Sequence, residues 1–252
     1  MKRISHGLLA SALLVFGGRV LAETEEFSKH IDGDMGVGAY YTRNIVRGKS
    51  DLFSVLPYGT FDYDRMFLRI DTLGIKTAKL GYGYVEISGR FSQDGFHADT
   101  ANLRGLHNRQ TSLPIGLGTM QTTPVGAFFI NAFHDVHQSN GNLFEAIYAA
   151  EFGTPALMVY PLAGAEYQSA EYVRYYYGIS AQEAVGGQYA AYQPGGSFNP
   201  LLGVLLDVKL TQKYHLNLYA RRKWLGNATQ SSPIVGTSTL DSSFISLSYR
   251  FE

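Results

Sequence analysis

One short stretch of the chain carries the residue types of a hydrolase. His137, Ser139, Asn140 and Gly141 lie within five consecutive positions. Residues two apart on a strand share a face, so an imidazole at 137 could accept the proton of a hydroxyl at 139. Such a pair also needs a third group that orients the ring. The next apolar segment along the chain offers Glu151 for that role.

The surroundings of this stretch favour a turn over a catalytic site. The apolar residues between Phe128 and Ala132 mark one face of the preceding segment, and parity puts His137 on the opposite face. A nucleophile that attacks lipid should lie on the apolar face. Ser-Asn-Gly is also a common turn sequence. We therefore predict no catalytic residues and keep His137, Ser139 and Glu151 as the alternative hydrolase set.

The elements that position these residues are strands, because polarity alternates with a period of two. Even-numbered residues from Leu202 to Leu210 are apolar, whereas Asp207 and Lys209 lie on the other face. A composition of 18 Tyr, 15 Phe and 28 Gly against 17% charged residues agrees with a β-rich chain. Twelve strands are predicted, at about 35–43, 52–62, 65–72, 80–92, 113–123, 125–137, 142–153, 156–167, 170–177, 198–211, 214–225 and 241–251.

The first residues have the layout of a secretory signal peptide. Lys2 and Arg3 precede an apolar run from Gly7 to Phe16, and small residues end at Ala22. That run is about half as long as a membrane-spanning helix. We predict a signal peptide at 1–22 and one domain at 23–252. Removing the signal peptide leaves 18 basic against 21 acidic residues, so no basic surplus favours nucleic acid, and the chain has no cysteine for disulfides, thiol catalysis or thiolate metal sites.

Three features favour a barrel in an outer membrane over a soluble β-protein, which alternation by itself does not distinguish. They are the signal peptide, the final alternating strand that ends at Phe251, and aromatic residues near segment ends. These aromatic residues are Tyr40, Tyr41, Tyr58, Tyr160, Tyr175, Tyr176, Tyr177 and Trp224. The fold class is thus an all-β, transmembrane, antiparallel up-and-down β-barrel of about 12 strands in the outer membrane of a Gram-negative bacterium.

The predicted strand count makes one connection anomalous. An even number of strands puts both termini in the periplasm and predicts long connections on the outer side, as at 178–197 and 226–240. The long connection 93–112 would instead be periplasmic. Either the count is wrong there, or this segment folds into the lumen or serves as a periplasmic contact.

From Tyr172 onward the sequence resembles the MipA/OmpV family of outer-membrane proteins. The matching stretches are 176–180 (Tyr-Tyr-Gly-Ile-Ser), 192–196 (Tyr-Gln-Pro-Gly-Gly), 222–228 (Arg-Lys-Trp-Leu-Gly-Asn-Ala), 232–235 (Ser-Pro-Ile-Val) and 249–251 (Tyr-Arg-Phe). The resemblance implies an outer-membrane barrel, and one role described for the family is a scaffold between a lytic transglycosylase and a murein synthase. It implies no catalytic residues.

Arg221, Arg222 and Lys223 form the densest basic cluster and are the candidate binding residues. They suit lipopolysaccharide phosphate or an acidic periplasmic partner. Alternatively, Arg221 and Lys223 face the interior, balanced by acids such as Asp207, and Arg222 reaches the membrane interface. Outer-membrane lipid is the other expected partner, and no metal or other cofactor is expected.

Three function classes remain. The first is a non-enzymatic scaffold that links the outer membrane to murein-synthesising and murein-cleaving enzymes. The second is a small-solute channel, since twelve strands enclose a narrow lumen that side chains can fill. The third is a hydrolase using His137 and Ser139, because the stretch 137–141 is similar to the His-x-Ser-Asn-Gly stretch of outer-membrane phospholipase A.

Overall fold

The alternating segments form one antiparallel sheet in a computed structural model that describes residues 27–92 and 94–251. The predicted signal peptide at 1–22 lies outside these residues and stays a prediction. The strands are β1 (Asp32–Thr42), β2 (Leu52–Tyr63), β3 (Met66–Arg69), β4 (Thr72–Leu80), β5 (Gly83–Arg90), β6 (Ile115–Thr123), β7 (Gly126–His134), β8 (Asn142–Ala149), β9 (Phe152–Thr154), β10 (Leu157–Gln168), β11 (Ser197–Lys209), β12 (Tyr214–Trp224) and β13 (Thr239–Phe251).

The sheet closes on itself because β13 pairs with β1. Strands β8 and β9 both pair with β10, at Leu162–Gln168 and at Leu157–Val159, and so form two pieces of one wall strand. The wall therefore has twelve strands in up-and-down order. The predicted fold class is confirmed.

Alternation gives the barrel an apolar outside and a polar inside. On β13, Ile245 and Leu247 are exposed on the outer surface, whereas Ser246 and Ser248 face the lumen and are buried. A water-soluble protein would bury its apolar face. Exposed aliphatic side chains around polar buried ones are the arrangement that lipid requires.

The predicted count of twelve is right, but one predicted strand is wrong and one observed strand is missing from the prediction. Strand β4 was not predicted; its register shifts between Lys76 and Lys79, and this irregularity interrupts the period-two pattern. Residues 170–177 form helix α1 (Ala170–Tyr177) instead of a strand. Its buried residues Tyr172, Val173, Tyr176 and Tyr177 lie on one face at helical spacing. The two errors leave the number of strands unchanged. They reverse the predicted membrane side of the connections between β4 and α1.

Long connections all lie at one end of the barrel. They are 43–51, 91–114, 135–141, 169–196 and 225–238, whereas the termini share the other end with short turns at 64–65, 81–82, 124–125, 155–156 and 210–213. The described residues of 93–112 therefore lie opposite the termini, and of the alternatives given for this connection the error in the strand assignment before it is the one that applies. Barrels of this class turn short connections to the periplasm. We infer that the long connections face outward.

Four of these connections pack into a cap over the outer mouth, defined here as the described residues of 43–51, 91–114, 169–196 and 225–238. It contains α1, α2 (Ala181–Gly186), α3 (Asn227–Gln230) and a 3₁₀ turn at Ala101–Leu103. Its apolar core comprises Ile45, Val46, Phe96, Leu103, Tyr172, Val173, Tyr176, Tyr177, Ile179, Leu225, Ile234 and Val235. No helix among the residues that the structure describes is long and apolar enough to cross a membrane.

Only part of the predicted aromatic belt faces lipid. Tyr41 and Trp224 are on the outer surface. Tyr40, Tyr58 and Tyr160 share the lumen-facing parity of their strands instead. The run of three tyrosines at 175–177 belongs to α1, so its assignment to the belt is wrong. A tyrosine suits a lipid interface, a polar lumen or a helix core equally well, and the sequence around it does not say which applies.

Candidate functional site in the capped lumen

Tyrosines of α1 anchor the cap above the lumen. The carboxylate of Asp94 accepts hydrogen bonds from the hydroxyls of Tyr172, at 2.6 Å, and Tyr177, at 3.0 Å. The hydroxyl of Ser92 adds a third bond, at 3.1 Å. Burial raises the pKa of both tyrosines well above its usual value, so the hydroxyls stay protonated and keep donating. Buried tyrosine hydroxyls need such partners, and Asp94 supplies them.

Glu183 anchors the outer part of the cap. Ser180 and Glu183 form a capping box at the start of α2. The Glu183 carboxylate also accepts from the backbone N–H of His107, at 3.0 Å, and from the Arg109 guanidinium, at 2.8 Å. Burial alone would raise the pKa of Glu183, but the backbone donors of His107 and Ser180, together with Arg109, outweigh it and lower the pKa to about 2.

The depressed pKa of Glu183 predicts how cap stability depends on pH. Its contribution is fully present above the ordinary pKa of 4.5 and is lost as the pH falls from there to about 2. The difference in cap stability between the wild type and Glu183→Gln should therefore be constant above pH 4.5 and shrink below it. Near-UV circular dichroism of the cap tyrosines, followed during urea titration, measures this difference. A difference that does not change down to pH 2 would contradict the assignment.

The candidate hydrolase stretch forms an outward-end turn held by Asp135. Its carboxylate accepts from the backbone N–H groups of His137, Gln138 and Ser139, and from the Ser139 hydroxyl at 2.7 Å. Despite burial, the bonds from Ser139 and its neighbours lower the pKa of Asp135. The serine proton therefore points to Asp135 and not to His137. Glu151 follows β8 at the opposite end of the barrel, so the three residues do not come together.

Gly141, which ends this turn, fits beneath α1. A Cβ at position 141 would lie 2.4 Å from the backbone nitrogen and 2.6 Å from the Cβ of Tyr172. Gly141→Ala should therefore push α1 away and destabilise the cap by about 1–3 kcal/mol. Near-UV circular dichroism and hydrogen exchange of α1 amides measure the change. Gly195→Ala is the matched control, because a Cβ there meets nothing within 4 Å, and an equal effect of both changes would refute the packing argument.

A cavity of about 410 Å³ lies in the lumen beneath the cap. Three ion pairs join residues that line this cavity. They are Arg90 with Glu145 at 2.8 Å, Lys223 with Glu166 at 2.8 Å, and Arg69 with Glu86 at 3.1 Å. Each links strands that are not neighbours in the wall. Charges that the sequence distributes over separate strands thus neutralise one another across the lumen.

Arg221 and Asp71 line the same cavity without such partners. Arg221 has no ion pair within the described part of the chain, and its buried Nε has no hydrogen-bond partner. Asp71 accepts a bond from the Thr72 hydroxyl but likewise meets no cation among the described residues within 4.0 Å. Arg222, the remaining member of the basic cluster, points outward and forms a two-bond pair with Asp241, at 2.7 and 2.9 Å. The structure therefore separates Arg222 from Arg221 and Lys223.

Two further layers fill the lumen towards the termini. Aromatic rings of Tyr58, Tyr219 and Phe244 stack at midheight, with ring centres 5.0 Å apart for Tyr219 and Phe244. Below them, Arg250 bridges Asp34, at 2.6 Å, and Asp207, at 2.8 Å. This role of Arg250 was not predicted from the sequence, although its inward parity on β13 was the available signal.

Comparison with known proteins gives this capped barrel a family. The model of the family described as MltA-interacting protein MipA matches residues 35–251. The chain belongs to the MipA family. Outer membrane protein Omp26La of Vibrio anguillarum is 26% identical over 246 residues, which cover 93% of this chain and 94% of the relative. Outer membrane protein OmpV of Vibrio cholerae is also 26% identical, over 94% and 95% of the two chains.

A third relative covers less of the chain. The MltA-interacting protein of Escherichia coli K12 is 24% identical over 150 residues, which are 59% of this chain and 60% of that protein. The predicted family is confirmed, and with it the location of this MipA-family barrel in the outer membrane. In the described ranges 27–92 and 94–251, no group of three His, Cys, Asp or Glu residues is arranged to hold a metal ion.

Proposed function

We propose that this MipA-family protein is a non-enzymatic adaptor of the outer membrane that holds a lytic transglycosylase and a murein synthase near the barrel. The observation that carries the proposal is the obstruction of the lumen along the barrel axis. Ion pairs cross it, aromatic rings stack in it, and the cap covers its outer mouth. Such a barrel offers surfaces to partners. The name of the Escherichia coli relative, MltA-interacting protein, supports the same function.

The contact face proposed here is the end that carries the termini. Murein enzymes work in the periplasm, and the short turns face that side in barrels of this class. Tyr82 and Val125 stand on two of these turns, each with 68% of its surface exposed. Exposed aromatic and aliphatic side chains are typical anchors of protein interfaces.

Affinity purification after brief crosslinking in the native envelope tests the proposal. The wild-type barrel should recover murein synthase and lytic transglycosylase above an unrelated control barrel, identified by mass spectrometry. A Tyr82→Ser, Val125→Ser double variant should lose most of this recovery. Val185→Ser is the matched control, because Val185 is 91% exposed but lies in the cap at the other end.

The outcomes distinguish the periplasmic turns from the cap as the contact surface. If the wild type recovers neither enzyme, the adaptor function is refuted. If the double variant recovers as much as the wild type, these turns are not the contact face. If Val185→Ser abolishes recovery while the double variant does not, contact through the cap replaces the proposed periplasmic contact.

A further inference from the structure

The barrel wall is incomplete beside the upper half of β2. Strand β2 pairs with β1 from Leu52 to Asp62 but with β3 only from Thr60 to Tyr63. Because β3 has four residues, it ends halfway up the wall, and the turn at Ile70 and Asp71 lies there. Within the described chain, residues Leu52–Tyr58 have a strand neighbour on one side only.

Backbone groups of β2 point into this gap. The Gly59 carbonyl accepts from the N–H of Ile70, so the Gly59 backbone points away from β1. Alternate residues of an antiparallel strand point their backbone groups to the same side. Phe53, Val55 and Pro57 therefore turn theirs towards the gap. Proline suits this position because it has no N–H that would lack a partner, and its carbonyl accepts a hydrogen bond from the Tyr40 hydroxyl, at 3.4 Å.

We call this gap the window. The free edge of Leu52–Tyr58 forms one side, Ile70 and Asp71 the bottom and Phe91 the other side. The ion pair of Lys49 and Asp99, at 2.8 Å, joins the connection before β2 to the connection that contains Phe91. Leu52 and Leu56 face the lumen by parity, yet remain 44% and 45% exposed, so space lies open beside them. Leu52, Asp71 and Phe91 also line the cavity, which therefore reaches the window.

An open strand edge is costly in lipid. Backbone groups without partners are tolerated at membrane depth only where they border a polar or water-filled cavity. The window borders such a cavity, while its outer rim is apolar at Phe53, Ile70 and Phe91. An entering molecule therefore meets an apolar rim first and charged groups behind it.

The charges behind the window select the chemistry of that molecule. Arg221 offers a guanidinium and Asp71 a carboxylate, and both lack ion-pair partners in the described chain. A simple anion would be attracted to Arg221 but repelled by Asp71. A head group with both an anionic and a cationic end complements both residues. The cavity volume of about 410 Å³ falls within the range of small-molecule sites.

We propose that the window is a lateral entrance from the membrane and that the cavity binds the zwitterionic head of a single-chain phospholipid. The phosphate lies at Arg221, the amine lies at Asp71, and the acyl chain leaves through the apolar rim. This binding site is independent of the adaptor function, because it uses the wall and the lumen and none of the periplasmic turns.

Photocrosslinking of the purified, folded full-length barrel tests the site. The probe is lysophosphatidylethanolamine with a diazirine in its acyl chain, offered in detergent and competed with unlabelled lipid. Crosslinks should concentrate on Leu52–Tyr58 and on the peptide containing Phe91. Arg221→Gln and Asp71→Asn should each weaken competition at least tenfold. Arg222→Gln is the matched control, since Arg222 is the next residue of β12 but faces outward.

Further measurements distinguish a folding defect from a loss of binding and test the chemical class of the ligand. The heat-dependent mobility of each variant on electrophoresis shows that the barrel is folded, and Arg221→Lys should retain part of the binding. Crosslinks spread evenly around the outer surface, or equal competition in all variants, would overturn the site. Equal competition by lysophosphatidylglycerol would overturn the role of Asp71. Equal competition by soluble glycerophosphoethanolamine would overturn entry from the membrane.

Discussion

Arg250→Gln should destabilise the folded barrel by about 3 kcal/mol. Two carboxylates, of Asp34 and Asp207, face this one guanidinium at 2.6 and 2.8 Å in the lower lumen. Without the guanidinium the two buried carboxylates repel each other, and Asp207 keeps only its contact with the His215 ring, at 2.6 Å. Urea-dependent unfolding from lipid vesicles measures the loss, and Trp224 reports it because it is the single tryptophan of the chain.

A surface pair provides the comparison for this effect. Arg222→Gln breaks the pair with Asp241 near the cap end of β12, at the membrane interface, where water and side-chain freedom leave little net stabilisation. We expect little change in unfolding there. The double variant Arg250→Gln, Asp34→Asn should recover part of the lost stability, because one of the two repelling charges is gone. Equal losses for Arg250→Gln and Arg222→Gln would show that position in the lumen is irrelevant.

Tyr177→Ala should open the cap without unfolding the barrel. Tyr177 is buried in the cap core and donates to Asp94, and truncating a buried aromatic side chain costs about 3–5 kcal/mol. That loss corresponds to an increase of about 100-fold or more in the open population. Trypsin cleavage after Arg104 and Arg109 should accelerate accordingly, since proteolysis follows the open population when opening is fast.

The same variant tests the orientation of the barrel. Trypsin added to intact cells should cleave the cap of Tyr177→Ala from outside, whereas the heat-dependent mobility of the barrel stays unchanged. Val185→Ala, on the exposed face of α2, should leave cleavage at the wild-type rate. Cleavage only after the outer membrane is permeabilised would place the cap in the periplasm. Loss of barrel mobility would show that cap and wall unfold together.

Local pattern was enough to predict the wall of the barrel. A strand in a bilayer must alternate between lipid and lumen, so parity alone gave the lumen side of Asp207, Arg221 and Lys223 and the outer side of Leu202. The closing strand and the family motifs could also be identified from the sequence, because each is contiguous in the chain. Their identification requires no contact with a distant segment.

Helix α1 and strand β4 show where local pattern failed. The sequence of α1 combines aromatic residues that favour strands with buried positions at helical spacing, and only packing against Gly141 and Asp94 selects the helix. In β4 a register shift interrupts the alternation. The helix depends on contacts distant in sequence, whereas the strand is obscured by a local irregularity in its pairing with β5.

The site itself was decided by the tertiary structure. Sequence singled out Arg221, Arg222 and Lys223 as one cluster, yet closure of the barrel gave Lys223 a partner on β10 and left Arg221 facing a cavity. Arg222 pairs on the outside with Asp241 of the neighbouring strand β13. Ion pairing depends on which strands face each other across the lumen. In the same way, the four residues of β3 leave a gap in the wall only because the neighbouring strands are longer. The sequence determined whether each strand residue faces the lumen or the lipid. Closure of the sheet determined which residues pair across the lumen, because two strands face each other only in the closed barrel.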